Sequence, residues 1–194
     1  MTHSLIHSFT HSVIQSFSHS IIAMSHRKPT SELTPKAFTA VRELEKYVAS
    51  TGLDKVHYKL IKIRASQING CGFCLDMHAR QAREMGVSEQ RIYMLSAWRE
   101  ANIYTDEEKA ILALTEQVTL ISQGGVSDAV YNRAVELLGE EYTKAVVMGV
   151  VAISAWNRIM ITDQVAVTAV AATTVGATAV AATAVGVNVS ESHV

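Results

Sequence analysis

The chain is short of cysteine, of net charge and of any sustained strand pattern, and each shortage narrows the reading. Of its 194 residues only two are cysteine, and they stand three positions apart in Cys71-Gly72-Phe73-Cys74. Thiols that close together do not staple distant parts of a chain. A structural disulfide framework is therefore excluded, and a redox or metal role in a reducing, cytoplasmic compartment is favoured. Seventeen Lys and Arg stand against eighteen Asp and Glu, a formal net charge of −1, which leaves no electrostatic footprint for gripping nucleic acid. Strict apolar–polar alternation is absent from the central chain, which predicts an all-α fold. With 48% hydrophobic and 18% charged residues, the length suffices for one sizeable core rather than two.

Charge is also missing from the ends. No Lys or Arg precedes Arg27, and residues 1–26 repeat a His-Ser unit at His3-Ser4, His7-Ser8, His11-Ser12 and His19-Ser20, with Gln15-Ser16 filling the missing beat. On a helix that spacing stacks the His rings along one face, which raises a metal-binding idea. The composition alone supports a disordered low-complexity extension, with Met24 a candidate start. The lack of Arg and Lys speaks against a mitochondrial address. At the other end, Val165 to Val189 carries no charge and contains a near-duplication, TAVAATTVGA over 168–177 and TAVAATAVGV over 178–187. It is long enough to span a bilayer but lacks Leu, Ile, Phe and flanking Lys or Arg. Residues 163–194 are therefore read as an Ala/Val/Thr-rich tail rather than a membrane anchor, and residues 30–162 as the folded unit.

Within that unit the pattern is helical throughout. Thr34-Pro35 pairs an N-cap residue with proline at the first helical position, and Phe38, Val41, Leu44, Glu45 and Val48 follow at helical spacing until Gly52. A second run, Val56 to Ile68, places Leu60, Ile61, Ile63 and Ile68 on a largely buried surface and breaks at Asn69-Gly70. The next helix covers Cys71 to Glu84, and Ser88 starts another carrying Ile92, Leu95 and Trp98. Thr105-Asp106-Glu107-Glu108 fits a capping box ahead of Ile111, Leu112, Leu114, Val118 and Ile121. Ser127–Leu138 and Glu140–Ile161 supply two further helices separated by Gly139.

Because Gly70 precedes Cys71, the cysteines fall at a helix start, where unpaired N–H groups and the positive end of the dipole favour a thiolate. His78 lies one turn beyond Cys74, in position to exchange a proton with it. A peroxide requires a nucleophile, an acid for the departing oxygen and a second thiol to condense with the sulfenic acid. Cys74, His78 and Cys71 fit those roles in that order. The resulting disulfide needs an external thiol reductant and no bound cofactor. Other readings of the pair stay open: one CxxC and one His supply three ligands for a catalytic zinc, and buried cysteines also serve as inert packing.

The run LIKIRASQINGCGFCLDMH over 60–78, with Ala97-Trp98-Arg99-Glu100 and Ala155-Trp156-Asn157-Arg158, resembles the AhpD-like alkylhydroperoxidase core of the carboxymuconolactone decarboxylase family, from about Leu33 to Ile161. The resemblance implies an all-helical bundle that forms homo-oligomers, a hydroperoxide substrate and a thiol or dithiol reductant protein as partner. It also implies that Cys74 attacks the peroxide, Cys71 resolves it and His78 relays protons. The family pattern places a Glu, the distal member of the relay, where this chain has Lys59, which predicts low or altered peroxidase activity. Asp76, Glu100 and Glu116 are candidate substitutes read first as solvated or salt-bridged surface residues. Trp98 and Trp156 are read as core or interface aromatics, and Arg64 as an internal ion-pair partner. The family also offers lactone decarboxylation, and Lys59 keeps in view a non-enzymatic redox sensor or structural subunit.

Overall fold

The computed structural model describes residues 27–169, so the His-Ser repeat and all but the first two residues of the duplicated tail segment lie outside it. Eight α-helices are present among the described residues: α1 Thr30–Leu33, α2 Pro35–Ser50, α3 Lys55–Asn69, α4 Gly72–Glu84, α5 Glu89–Tyr93, α6 Asp106–Thr119, α7 Asp128–Leu138 and α8 Glu140–Thr162. No strand occurs among them, in accord with an all-α chain.

Local chemistry fixes most of the helix starts. The Asp54 carboxylate accepts from the Val56 and His57 N–H groups at the head of α3. Thr105 and Glu108 form the reciprocal capping box of α6, satisfying two N–H groups that a helix start otherwise leaves unpaired. Two starts differ from expectation. Thr34 makes no side-chain cap to α2; its hydroxyl donates back to Thr30 O at 3.0 Å, because the short α1 already occupies the preceding turn. The helix that Ser88 opens ends at Tyr93 and tightens into a 3₁₀ turn over Met94–Ala97. That turn stacks residues three apart, and Leu95 and Trp98 go into the core together.

Helix α3 is the hub, packed against α4, α6 and α8. Its Leu60, Ile61 and Ile63 are completely buried and face different apolar clusters, Ile61 toward α6–α8 and Leu60 and Ile63 toward α4–α6. Helix α8 is long and apolar enough to cross a membrane by length and composition alone. Here it spends Val146, Val150 and Ile153 on the protein core, as a central core helix does. Gly149 lets it approach closely: a Cβ there would sit 3.1 Å from the Tyr58 ring.

After α8 the chain turns back over the start of the fold. Asp163 accepts from the Thr30 N–H at 2.9 Å and the Thr30 hydroxyl at 2.8 Å, and Arg27 donates to the Thr162 carbonyl at 2.7 Å. The first and last described elements are thereby tied together.

Candidate active site

Gly70 ends α3 in the left-handed conformation, φ 72°, which glycine adopts without steric cost. One residue later Cys71 is the N-cap of α4. Its sulfur accepts from the Cys74 N–H at 3.3 Å, the place usually taken by a Ser or Asp oxygen. Both sulfurs thus stand at the positive end of the α4 dipole, as the Gly70-Cys71 sequence predicts. They are joined as a disulfide with Cα atoms 5.4 Å apart. Both residues are almost wholly buried, packed with Ala65 and Ile153.

A polar brace fixes the approach to this turn. Asn157 of α8 is fully buried; its amide donates to Ser66 Oγ at 3.0 Å and its oxygen accepts from Asn69 at 2.9 Å. The Ser66 carbonyl in turn accepts from the Cys71 N–H. The last turn of α3 is pinned to α8, and with it the position of the first cysteine.

A pocket of about 430 Å³ opens onto Cys74 but is not lined by Cys71. Its apolar wall comes from Phe38, Phe73, Met77, Trp156 and Met160, with the Phe38 and Trp156 rings edge to face at 4.9 Å. Its polar wall comes from Glu45, Lys62, His78 and Gln81. Trp156 therefore belongs to the pocket, whereas Trp98 is a core aromatic whose indole N–H donates to Glu116.

The proton chemistry of His78 is set by its neighbour one turn on. Lys59 donates to Gln81 Oε1 at 2.5 Å, and the same oxygen lies 3.2 Å from His78 Nδ1. An ammonium only donates, so the oxygen of the Gln81 amide must face it. Nδ1 must then carry the ring hydrogen, which leaves Nε2 as the basic nitrogen. Burial, reinforced by the positive charges of Lys62 and Lys59, pushes His78 down to about 4. The imidazole is therefore neutral at pH 7 in the disulfide form of the protein.

Lys59 is thus tied to His78 through Gln81, and it does not line the pocket. A carboxylate does reach the pocket wall, but from α2. Glu45 Oε2 accepts from Lys62 Nζ at 2.8 Å and from the Tyr58 hydroxyl at 2.8 Å. Lys62 is 7% exposed, and burial lowers its pKa against the opposing pull of Glu45. Sequence reading did not single out Lys62 or Gln81, and took Glu45 only as part of a helix face. The available signal was a lysine inside the apolar run 60–63.

The other candidate acids lie elsewhere. Asp76 pairs with Arg80 at 2.7 Å, and Glu100 is exposed. Glu116 is buried rather than a surface charge, because Arg64, Arg99 and Trp98 all converge on its carboxylate. Arg64 is accordingly the internal ion-pair partner expected of it. Among the described residues no three His, Cys, Asp or Glu side chains are grouped to hold a metal ion.

The model of the carboxymuconolactone decarboxylase family matches residues 33–117. The uncharacterized protein YdfG of Bacillus subtilis is 44% identical over 138 residues, covering 71% of this chain and 94% of that protein. The alkyl hydroperoxide reductase AhpD of Streptomyces coelicolor is 38% identical over 69 residues; the match spans 34% of this chain and only 39% of AhpD. Among solved structures, an Agrobacterium tumefaciens protein of unknown function, assigned provisionally to AhpD-type antioxidant defence, superposes with a TM-score of 0.72 at 38% identity. That match covers 74% of this chain and 99% of the other.

Proposed function

The chain belongs to the carboxymuconolactone decarboxylase family, and we propose that within it this protein is a thiol-dependent peroxidase of the alkylhydroperoxidase type. The observation that carries the reading is that Cys74, at the dipole-positive start of α4, shares one largely apolar pocket with a neutral His78.

In the reduced protein the Cys74 thiol passes its proton to His78 Nε2. The thiolate attacks the terminal oxygen of the hydroperoxide, so that an S–O bond forms as the O–O bond breaks. The electron pair leaves with the alkoxide, which takes the proton back from the imidazolium and departs as an alcohol. The Cys71 thiol then condenses with the Cys74 sulfenic acid, releasing water and forming the disulfide. An external dithiol supplies the two electrons that reopen it. The partner in this reading is a thiol reductant protein, the working assembly a homo-oligomer and the compartment the cytoplasm.

The test is steady-state consumption of cumene hydroperoxide by the protein with dithiothreitol as reductant. The reading expects turnover in the wild type and its loss in Cys74→Ser. Equal turnover in both proteins would overturn it.

A further inference from the structure

In the peroxide step described above His78 protonates the departing oxygen, but no group is yet assigned to stabilise the negative charge that builds on it while the O–O bond breaks. Lys62 is the buried cation on the wall of the pocket that Cys74 faces. Two contacts hold it in place, and a third ties their partners to each other. Glu45 accepts one of its N–H bonds at 2.8 Å, its Nζ lies 3.8 Å from the centre of the Tyr58 ring, and the Tyr58 hydroxyl donates to the same Glu45 oxygen at 2.8 Å. An ammonium carries three N–H groups. With one spent on Glu45 and the ring beneath another, a donor remains for the pocket.

We propose that Lys62 is a catalytic residue of this chain, donating a hydrogen bond to the alkoxide that leaves as Cys74 is oxidised, and that Glu45 is the positioning residue that aims it. This rests on the peroxidase reading of the site. It also accounts for the lysine at position 59: the carboxylate of the pocket is supplied from α2, at Glu45, and serves to orient a cation rather than to accept a proton from His78.

The arrangement suits the task for three physical reasons. A fixed donor in a water-poor pocket stabilises a developing anion far more than the same donor in water, because no reorganisation is needed at the moment of reaction. Burial lowers the pKa of the Lys62 ammonium, which strengthens it as a donor. The groups facing Lys62 are Glu45 from α2, Tyr58 and Lys59 from its own helix and His78 from α4. Glu45 alone among them brings a negative charge, so the ammonium is held without being fully neutralised by a second acid.

The experiment compares two oxidants whose leaving groups need stabilisation to different degrees. Single-turnover oxidation of the reduced full chain is followed by tryptophan fluorescence and by thiol counting, with tert-butyl hydroperoxide, which expels an alkoxide, and with peroxyacetic acid, which expels acetate. Lys62→Met is expected to slow the first by about a hundredfold and the second by less than about threefold, since acetate is a stable anion in its own right. Lys62→Arg should recover most of the loss, and Glu45→Gln should show a smaller loss with the same selectivity.

The double variant Lys62→Met with Glu45→Gln removes both charges together, leaves no buried carboxylate without its cation, and should reproduce the Lys62→Met selectivity. It carries the test if the single variant does not fold. Equal slowing with both oxidants, or no slowing with either, would overturn the assignment while leaving the peroxidase reading intact. A wild-type Cys74 inert to both oxidants would overturn the peroxidase reading itself, and the role of Lys62 with it.

Discussion

Lys59 and His78 share a single atom, the Gln81 side-chain oxygen, which accepts from Lys59 at 2.5 Å and lies 3.2 Å from His78 Nδ1. This lysine thereby dictates which ring nitrogen is basic. Placing a carboxylate there by Lys59→Glu should rotate the Gln81 amide, so that its NH₂ faces both neighbours and His78 Nδ1 becomes an acceptor. The neutral ring would then carry its hydrogen on Nε2. Nitrogen-15 NMR of labelled His78 is expected to report this exchange, with Cys74 oxidation slowed by about tenfold or more. A Lys59→Glu protein with an unchanged tautomer and faster peroxide reduction would contradict the relay described here.

The pH dependence of stability follows from the same histidine. His78 falls from its ordinary 6.5 to about 4 in the folded, oxidised protein, chiefly because it is buried. As the pH drops through this window the unfolded chain takes up the proton and the folded chain does not, so folding weakens with acidification. Above pH 6.5 both states are neutral at this residue and it adds no slope. Between 6.5 and 4 the loss is on the order of 3 kcal/mol. Denaturant titrations should show a shallower acid slope in His78→Gln than in wild type, and parallel slopes would count against a buried neutral imidazole.

Much of this fold was legible because its helix boundaries are local events. The Thr105–Glu108 capping box, Gly70 as the end of α3 and the cysteines at the start of α4 are each written within a few adjacent residues. Cys71, Cys74 and the His78 one turn on belong to one helix, so their spacing reveals them. Glu45 and Lys62 are different: they sit 17 positions apart on separate helices, and only the packing of α2 beside α8 brings the carboxylate to the pocket. Trp156 packs against the core as expected, but its second place, on the pocket wall, is hidden from sequence for a similar reason. Its place on the pocket wall depends on Phe38 reaching it from α2, which no spacing along one helix reveals.

Glu116 marks the limit of reading acids from sequence. Its carboxylate takes Arg64 at 2.7 Å and Trp98 at 2.8 Å on one oxygen and Arg99 at 2.5 Å on the other. These donors hold its pKa down against the effect of burial. Glu116→Ala leaves the Arg64 guanidinium and the Trp98 N–H without their acceptor, at a cost of roughly 3–5 kcal/mol. Urea denaturation should register that loss, while the folded fraction oxidises Cys74 within about a factor of two of wild type. Loss of peroxide reactivity in fully folded Glu116→Ala would place this carboxylate in the chemistry instead.

The division of labour between the two sulfurs is the centre of the account, and trapping the sulfenic acid tests it most directly. Reduced Cys71→Ser and Cys74→Ser proteins are each given one equivalent of cumene hydroperoxide in the presence of dimedone, and intact mass and peptide mapping locate the adduct. A single adduct on Cys74 in the Cys71→Ser protein, with none in Cys74→Ser, is the predicted result. An adduct on Cys71 in the Cys74→Ser protein, formed as fast as that on Cys74, would contradict it.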